Sequence, residues 1–211
     1  MKTIALIGAT GQVGQQFLEQ ALAKGYKIKA LVRNLDKVNQ KNANLDLIKG
    51  DVLNPMDVIK TVEGTDIVVS LFGHVKGSPK WLQTEGTKNI IDAMKKHLVF
   101  RIISLSGGGL PFPEKDKPKF ADKMIRIIMK IIVPKQLNDA KKHYEILKAS
   151  GLKWTIVRAP ILTNDAKKGE YRVGWVGVNA SIKISRADLA DFIVNQVEDE
   201  RFNHQMPFIS Y

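Results

Sequence analysis

The chain has 211 residues, 44% of them hydrophobic, which fits one domain with a substantial core. It has no cysteine, which excludes disulfides, thiolate nucleophiles and thiolate metal sites and suits a cytoplasmic protein. The net charge of +12 comes from lysines spread along the whole sequence with no nucleic-acid motif beside them. It reads as a basic surface that also favours an anionic cofactor, so no specific nucleic-acid partner is expected.

The opening run Met1–Gly8 is too short for a signal peptide, and Thr3–Ile7 reads as a buried first strand. Val13–Ala23 follows as a helix with Val13, Phe17, Leu18, Ala21 and Leu22 on one side, ended by Gly25. Lys27–Val32 and Leu45–Lys49 read as strands, Asp57–Val62 as a short helix and Asp66–Leu71 as strand four. Lys88–His97 belongs to a long helix with His97 as a cation at its C-terminal end, and Arg101–Ser106 is strand five. This alternation implies right-handed crossovers and a parallel sheet: an α/β, Rossmann-like doubly wound fold.

The alternation then breaks. Gly107–Pro118 reads as a loop, Phe120–Val133 as an apolar and basic helix, and Asn138–Ser150 as another helix closed by Gly151. The basic helix fits a lid beside the site, a dimer contact or a membrane-surface element. Trp154–Val157 is strand six, and Tyr171–Ile184 suggests a hairpin. Arg186–Val197 is the last helix, with Ser185 as N-cap and Asp188 in its first turn, and Met206–Ile209 is a terminal strand. The expected organisation is a single domain over 1–211, with a small C-terminal substrate-side appendage built from about 107–140 and 161–185. No run reaches the length of a membrane span.

Gly8-Ala9-Thr10-Gly11-Gln12-Val13-Gly14 lies between strand one and helix one. Gly8 permits the turn, Gly11 lets a pyrophosphate approach the backbone, and Gly14 lets the helix pack on the sheet. The helix N-terminus then faces the phosphates with free N–H groups. Strand two ends in Arg33, where an NAD-preferring site would carry an acid, and the nearest acid, Asp36, lies beyond. A guanidinium matches a 2′-phosphate, so NADPH is expected over NADH. Asp51 after strand three could accept from an adenine amino group, Phe72-Gly73 after strand four lets the cofactor cross the sheet edge, and Ser104 and Ser106 face the same crevice.

These residues resemble the atypical, NmrA-like branch of the short-chain dehydrogenases/reductases, within it the biliverdin-IXβ reductase/flavin reductase family. The resemblance rests on Gly8–Gly14, Leu31-Val32-Arg33, Lys49–Leu53, Glu85–Ile90, Ser150–Lys153, Thr155–Pro160 and Ser185–Ala190, and it spans nearly the whole chain. It implies cofactor contacts at Gly8, Thr10, Gly11, Gln12, Val13, Gly14, Arg33, Asp51, Val52, Phe72, Gly73, Ser106 and Pro160. Ser106 falls at the family's serine near the nicotinamide. A histidine of the family falls on Ile161, a departure from its substrate site.

Tyr144–Lys148 has the Tyr-x-x-x-Lys spacing of the superfamily's acid pair. The resemblance to extended members sets another register, with Lys141 as the lysine, Glu145 four residues on, and Leu137 in the tyrosine position. Tyr144 is then expected on a different helical face from Leu137. Without that tyrosine, an acceptor that needs mainly hydride, such as a flavin or another planar ring system, is favoured over a ketone. Ser106 and Lys141 are the candidate catalytic residues. Of the four histidines, His74 and His143 are candidates for the crevice, and no pair has metal-ligand spacing. The leading reading is an NADPH-dependent reductase of a planar acceptor, monomeric or homodimeric. The alternatives are a non-catalytic redox sensor of NmrA type and a nucleotide-sugar or isomerase-type enzyme using Tyr144 and Lys148.

Overall fold

The computed structural model describes residues 1–211. Its first half runs β1 (Thr3–Ile7), α1 (Gln12–Ala23), β2 (Lys27–Val32), β3 (Leu45–Lys49), α2 (Pro55–Val62), β4 (Ile67–Ser70), α3 (Leu82–Lys96) and β5 (Arg101–Gly107). The second half runs α4 (Phe120–Ile132), α5 (Pro134–Ala149), β6 (Lys153–Ala159), β7 (Ile161–Thr163), β8 (Arg172–Gly174), β9 (Lys183–Ser185), α6 (Arg186–Asn195) and β10 (Phe208–Ser210). The main sheet has the order β3-β2-β1-β4-β5-β6-β10-β8 and is parallel except for β8, which pairs antiparallel with β10. β1 therefore lies beside both β2 and β4, the point where the strand order reverses.

Strand alternation builds two cores. Ile4 and Leu6 of β1 point into one, shared with Phe17 and Leu18 of α1 and Leu189 and Phe192 of α6. Ala5 and Ile7 point into the other, shared with Val58 of α2, Ile90 and Met94 of α3 and Leu147 of α5. β1 is thus apolar on both faces, as a central strand of a parallel sheet covered by helices requires. Local chemistry sets the helix starts. Asn54 accepts the N–H of Met56 ahead of Pro55, and the Ser185 hydroxyl accepts the N–H of Asp188 at 3.0 Å, the N-cap the sequence implies.

Two readings change, the hairpin and the start of α5. Residues 171–184 form no hairpin: β8 joins β10 in the main sheet, while β9 pairs parallel with β7 in a separate two-stranded sheet. The alternating pattern marks two short edge strands whose partners lie far away in sequence. α5 starts at Pro134, directly after α4, and not at Asn138, while α3 is the long helix to which Lys88 belongs, from Leu82.

Over the C-terminal ends of β5 and β6, the loop 107–118 is tied down by one buried ion pair. The Arg158 guanidinium is fully buried and donates twice to Asp116, at 2.8 and 2.9 Å, and also to the carbonyls of Leu110 and Met206. Asp116 further accepts N–H groups of Phe112 and Val176 and a bond from Arg126 of α4. Burial alone would raise the Asp116 pKa, but Arg158 and the other donors outweigh it and hold it below the usual carboxylate range. Asp116→Asn leaves a buried guanidinium uncompensated, which costs about 3–5 kcal/mol. Urea unfolding of the variant against the parent measures this loss.

Candidate functional site

β1 turns at Gly8, which has φ 94°, against the end of β4. A Cβ on Gly8 would lie 2.6 Å from Leu71 C and Phe72 N, and one on Gly14 would lie 2.0 Å from the Gly8 carbonyl oxygen. The first glycine is required by the neighbouring strand and the third by the turn itself. Gly11 is the N-cap of α1, and no side chain caps this helix. The helix start is open to an anion, in the manner of a phosphate cradle.

Two cavities open along the C-terminal edge of the sheet and share Leu71, Phe72 and Gly73. The larger, about 610 Å³, is lined by Gly8, Thr10 and Gly11 at one end and by Arg33, Asp51 and Val52 beyond. Arg33, Lys37 and Lys76 face it against a single acid, Asp51. Asp36 is not in its lining. One Asp51 carboxylate oxygen accepts the N–H of Leu53 at 2.9 Å, so this residue also builds its own turn.

The smaller cavity, about 320 Å³, is mostly apolar, with Leu105, Leu110, Met129, Val133, Leu137 and Ala140 among its walls. Ser106 and Pro160 line it as well. The Ser106 hydroxyl is buried and has no hydrogen-bond partner in the protein. An orphaned donor of this kind in a cavity wall awaits a polar atom of a ligand.

Of the thirteen residues assigned to the cofactor, Gly8, Thr10, Gly11, Arg33, Asp51, Val52, Phe72, Gly73, Ser106 and Pro160 line one cavity or the other. Gln12, Val13 and Gly14 do not: Gln12 is exposed, and Val13 and Gly14 are buried in the first turn of α1. Lys141 is half-buried and lines neither cavity. Ile161 is exposed, while its neighbours Pro160 and Leu162 face the smaller cavity.

Leu137 lies in the wall of the smaller cavity. Tyr144, seven residues on, lies on the same face of α5, contrary to the sequence reading. It is removed by distance along the helix, roughly 10 Å at 1.5 Å per residue. Its ring packs edge-on against Trp154 near the start of β6, with centroids 5.7 Å apart, at the opposite end of the strands from the cavities. Lys148 pairs with Glu114.

His74 does face the smaller cavity. Its Nε2 lies 2.7 Å from Oδ2 of Asp139 on α5. Asp139 is fully buried and accepts the N–H groups of Gln83 and Thr84 at 2.8 and 2.9 Å and the Thr84 hydroxyl. It thereby caps α3 from a neighbouring helix. Burial pushes its pKa up, but the Thr84 hydroxyl, the two N–H groups and His74 more than reverse this, and the net shift is down. With Asp139 ionised, His74 Nε2 must carry the proton of that bond, leaving Nδ1 without a partner in the protein. Nothing local in the sequence marks Asp139, since its partners come from α3 and the loop after β4. Lys37 escaped because it sits in a one-turn 3₁₀ helix, Leu35–Lys37, that returns it to the cavity.

Matching against family descriptions gives NAD(P)H-binding over residues 8–200. The chain belongs to this NAD(P)H-binding family. It is 25% identical over 217 residues to the uncharacterised protein YwnB of Bacillus subtilis, covering 94% of this chain and 96% of that one. Its fold superposes with a TM-score of 0.82 on a Veillonella parvula short-chain dehydrogenase/reductase in complex with NADP, at 20% identity, covering 100% and 94% of the two chains. ChuY of Escherichia coli O157:H7, described as an anaerobilin reductase, gives 0.79 at 19% identity, covering 100% and 97%. At these identities the two structures speak for the fold, which is that of the short-chain dehydrogenases/reductases.

His143 lies behind the cavity wall, fully buried between the hydroxyls of Thr87 and Ser104 at 2.8 and 3.0 Å. Burial, against an upward pull from Asp139, takes its pKa from 6.5 down to about 4. Below its unfolded pKa the unfolded chain binds a proton that the folded chain refuses, so stability falls as pH drops from 6.5 toward about 4. Between pH 7 and pH 5 the loss is about 2 kcal/mol, read by urea unfolding, and His143→Gln removes it.

Proposed function

We propose that the chain is an NADPH-dependent reductase that passes hydride to a planar, largely apolar acceptor such as a flavin. The observation that carries this reading is the pair of adjacent cavities that share Leu71, Phe72 and Gly73, one cationic and glycine-edged, the other apolar with a single orphaned hydroxyl. The uncapped start of α1 and the glycines before it fit a pyrophosphate, and Arg33 with Lys37 fits a 2′-phosphate. NADPH, when bound, supplies the hydride; the protein supplies position and protons.

In this reading, the residues that hold the dinucleotide are those of the larger cavity, with Ser106 and Pro160 at the nicotinamide end. Leu105, Met129 and Leu137 present an apolar surface to the acceptor ring and exclude water. Ser106 donates a hydrogen bond to a polar atom of the bound pair. His74 takes the place of the missing tyrosine: Asp139 accepts its Nε2–H and fixes the ring, and Nδ1 passes on to the acceptor a proton taken up from water. ChuY, described as an anaerobilin reductase, shares this fold. Leu137 in the tyrosine position also favours a second reading, a dinucleotide-binding sensor without turnover.

Titration of NADPH and NADH tests the cofactor assignment. NADPH is expected to bind more tightly, and the double variant Arg33→Ala, Lys37→Ala should weaken it at least about tenfold while leaving NADH nearly unchanged. Equal weakening of both dinucleotides removes the 2′-phosphate role. His74→Gln should lower kcat for the acceptor about 100-fold with NADPH affinity kept, whereas Tyr144→Phe should leave kcat within about twofold.

A further inference from the structure

α4 is built inside out. A helix at the surface of a globular protein normally turns its apolar stripe to the core. In α4 the half-buried positions are Asp122, Arg126 and Met129, with Val133 just beyond the helix, spaced 4, 3 and 4 residues apart on one face. Arg126 is held on Asp116 at 2.7 Å, which keeps that polar face against the body of the protein. The opposite face carries Phe120, Met124, Ile127, Ile128 and Ile131, all exposed, with Phe120 at 79% and Ile131 at 76%. No residue of α4 is fully buried. An apolar face of this extent on a single helix marks an interaction surface.

Charge decides what covers it. Lys123 and Lys130 are exposed along one border of the apolar face, and Lys119 and Lys135 stand at the two ends. Asp122 is the single acid from Lys119 to Lys135, and its carboxylate already accepts the Lys119 N–H at 2.8 Å. A second copy packed face to face would bring lysine against lysine with no acid to answer them. A negatively charged lipid surface answers all of them and takes up the apolar side chains, the arrangement of an in-plane amphipathic helix. No helix of the chain is long and apolar enough to cross a membrane, so the contact is with one leaflet.

We propose that α4 docks the protein on an anionic bilayer surface, with Phe120, Ile127 and Ile131 in the acyl boundary and the lysines on the headgroups. Met129 and Val133 line the smaller cavity from the same helix segment, so docking brings that cavity close to the lipid. The docking stands on the helix alone and does not depend on the reductase reading.

The test is flotation of the full chain with vesicles of neutral phosphatidylcholine and with vesicles that contain about one third phosphatidylglycerol. The protein is expected to float with the anionic vesicles at least about tenfold more than with the neutral ones. Lys123→Ala with Lys130→Ala should lower that binding roughly 25-fold, about fivefold for each lysine. Ile127→Asp with Ile131→Asp should lower it at least about tenfold while circular dichroism and NADPH titration stay as in the parent. Absence of flotation with anionic vesicles overturns the proposal. So does undiminished binding by the isoleucine variant, which would reduce the effect to charge alone. A parent dimer in solution that the isoleucine variant abolishes would assign the face to a second copy instead.

Discussion

The backbone of Gly8 lies against that of Leu71 and Phe72 so closely that a single added carbon would fall 2.6 Å from the Leu71 carbonyl carbon. Everything at the C-terminal edge of the sheet depends on that approach. It lets β1 and β4 run side by side to their ends, and it turns the chain sharply enough to start α1 four residues later. It also leaves a crevice where the strand order reverses, the place where open α/β sheets hold ligands. The two cavities meet at Leu71–Gly73 for this reason. Gly14 extends the constraint, because its own missing side chain is what allows α1 to sit on the Gly8 carbonyl.

Around that crevice the protein is fastened by buried carboxylates. Asp116 binds Arg158 and Arg126 and so joins β6, α4 and the 107–118 loop. Asp139 caps α3 from α5 and holds His74. Asp188 accepts the N–H groups of Lys168 and Gly169 and the hydroxyls of Ser185 and Tyr211, which ties the segment before β8 to the start of α6. For all three, burial raises the pKa and the surrounding donors lower it further than burial raises it. Each therefore stabilises the fold above the ordinary carboxylate range and loses that contribution as pH falls through its lowered pKa. The walls of the smaller cavity are thus set by charge inside the protein as much as by apolar packing.

The first six strands, the glycine turn and the cationic end of β2 are legible in the sequence because each is a local pattern. Ile4–Ile7 alternates into two cores, Gly8–Gly14 has fixed spacing, and Arg33 directly follows β2. Asp139 was not legible, since its role is to cap a helix that begins 57 residues earlier in the chain. β8 and β9 misled for the same reason: their alternation is genuine, but their partners are β10 and β7. Leu137 lines the smaller cavity, whereas Tyr144, on the same face of α5 and not on a different one, is kept from it by its position along the helix axis. The apolar residues of Phe120–Ile132 were visible at helical spacing, but only the structure shows them turned outward.

The proposed function makes the two adjacent cavities one site in which bound NADPH meets a flat acceptor. The most direct measurement is the rate of NADPH oxidation by the purified chain with and without FMN. Saturable oxidation that requires FMN is the predicted result. Tight NADPH binding with no oxidation above the uncatalysed rate, for FMN and for a panel of other planar acceptors, would contradict the account and leave a dinucleotide-binding protein without turnover.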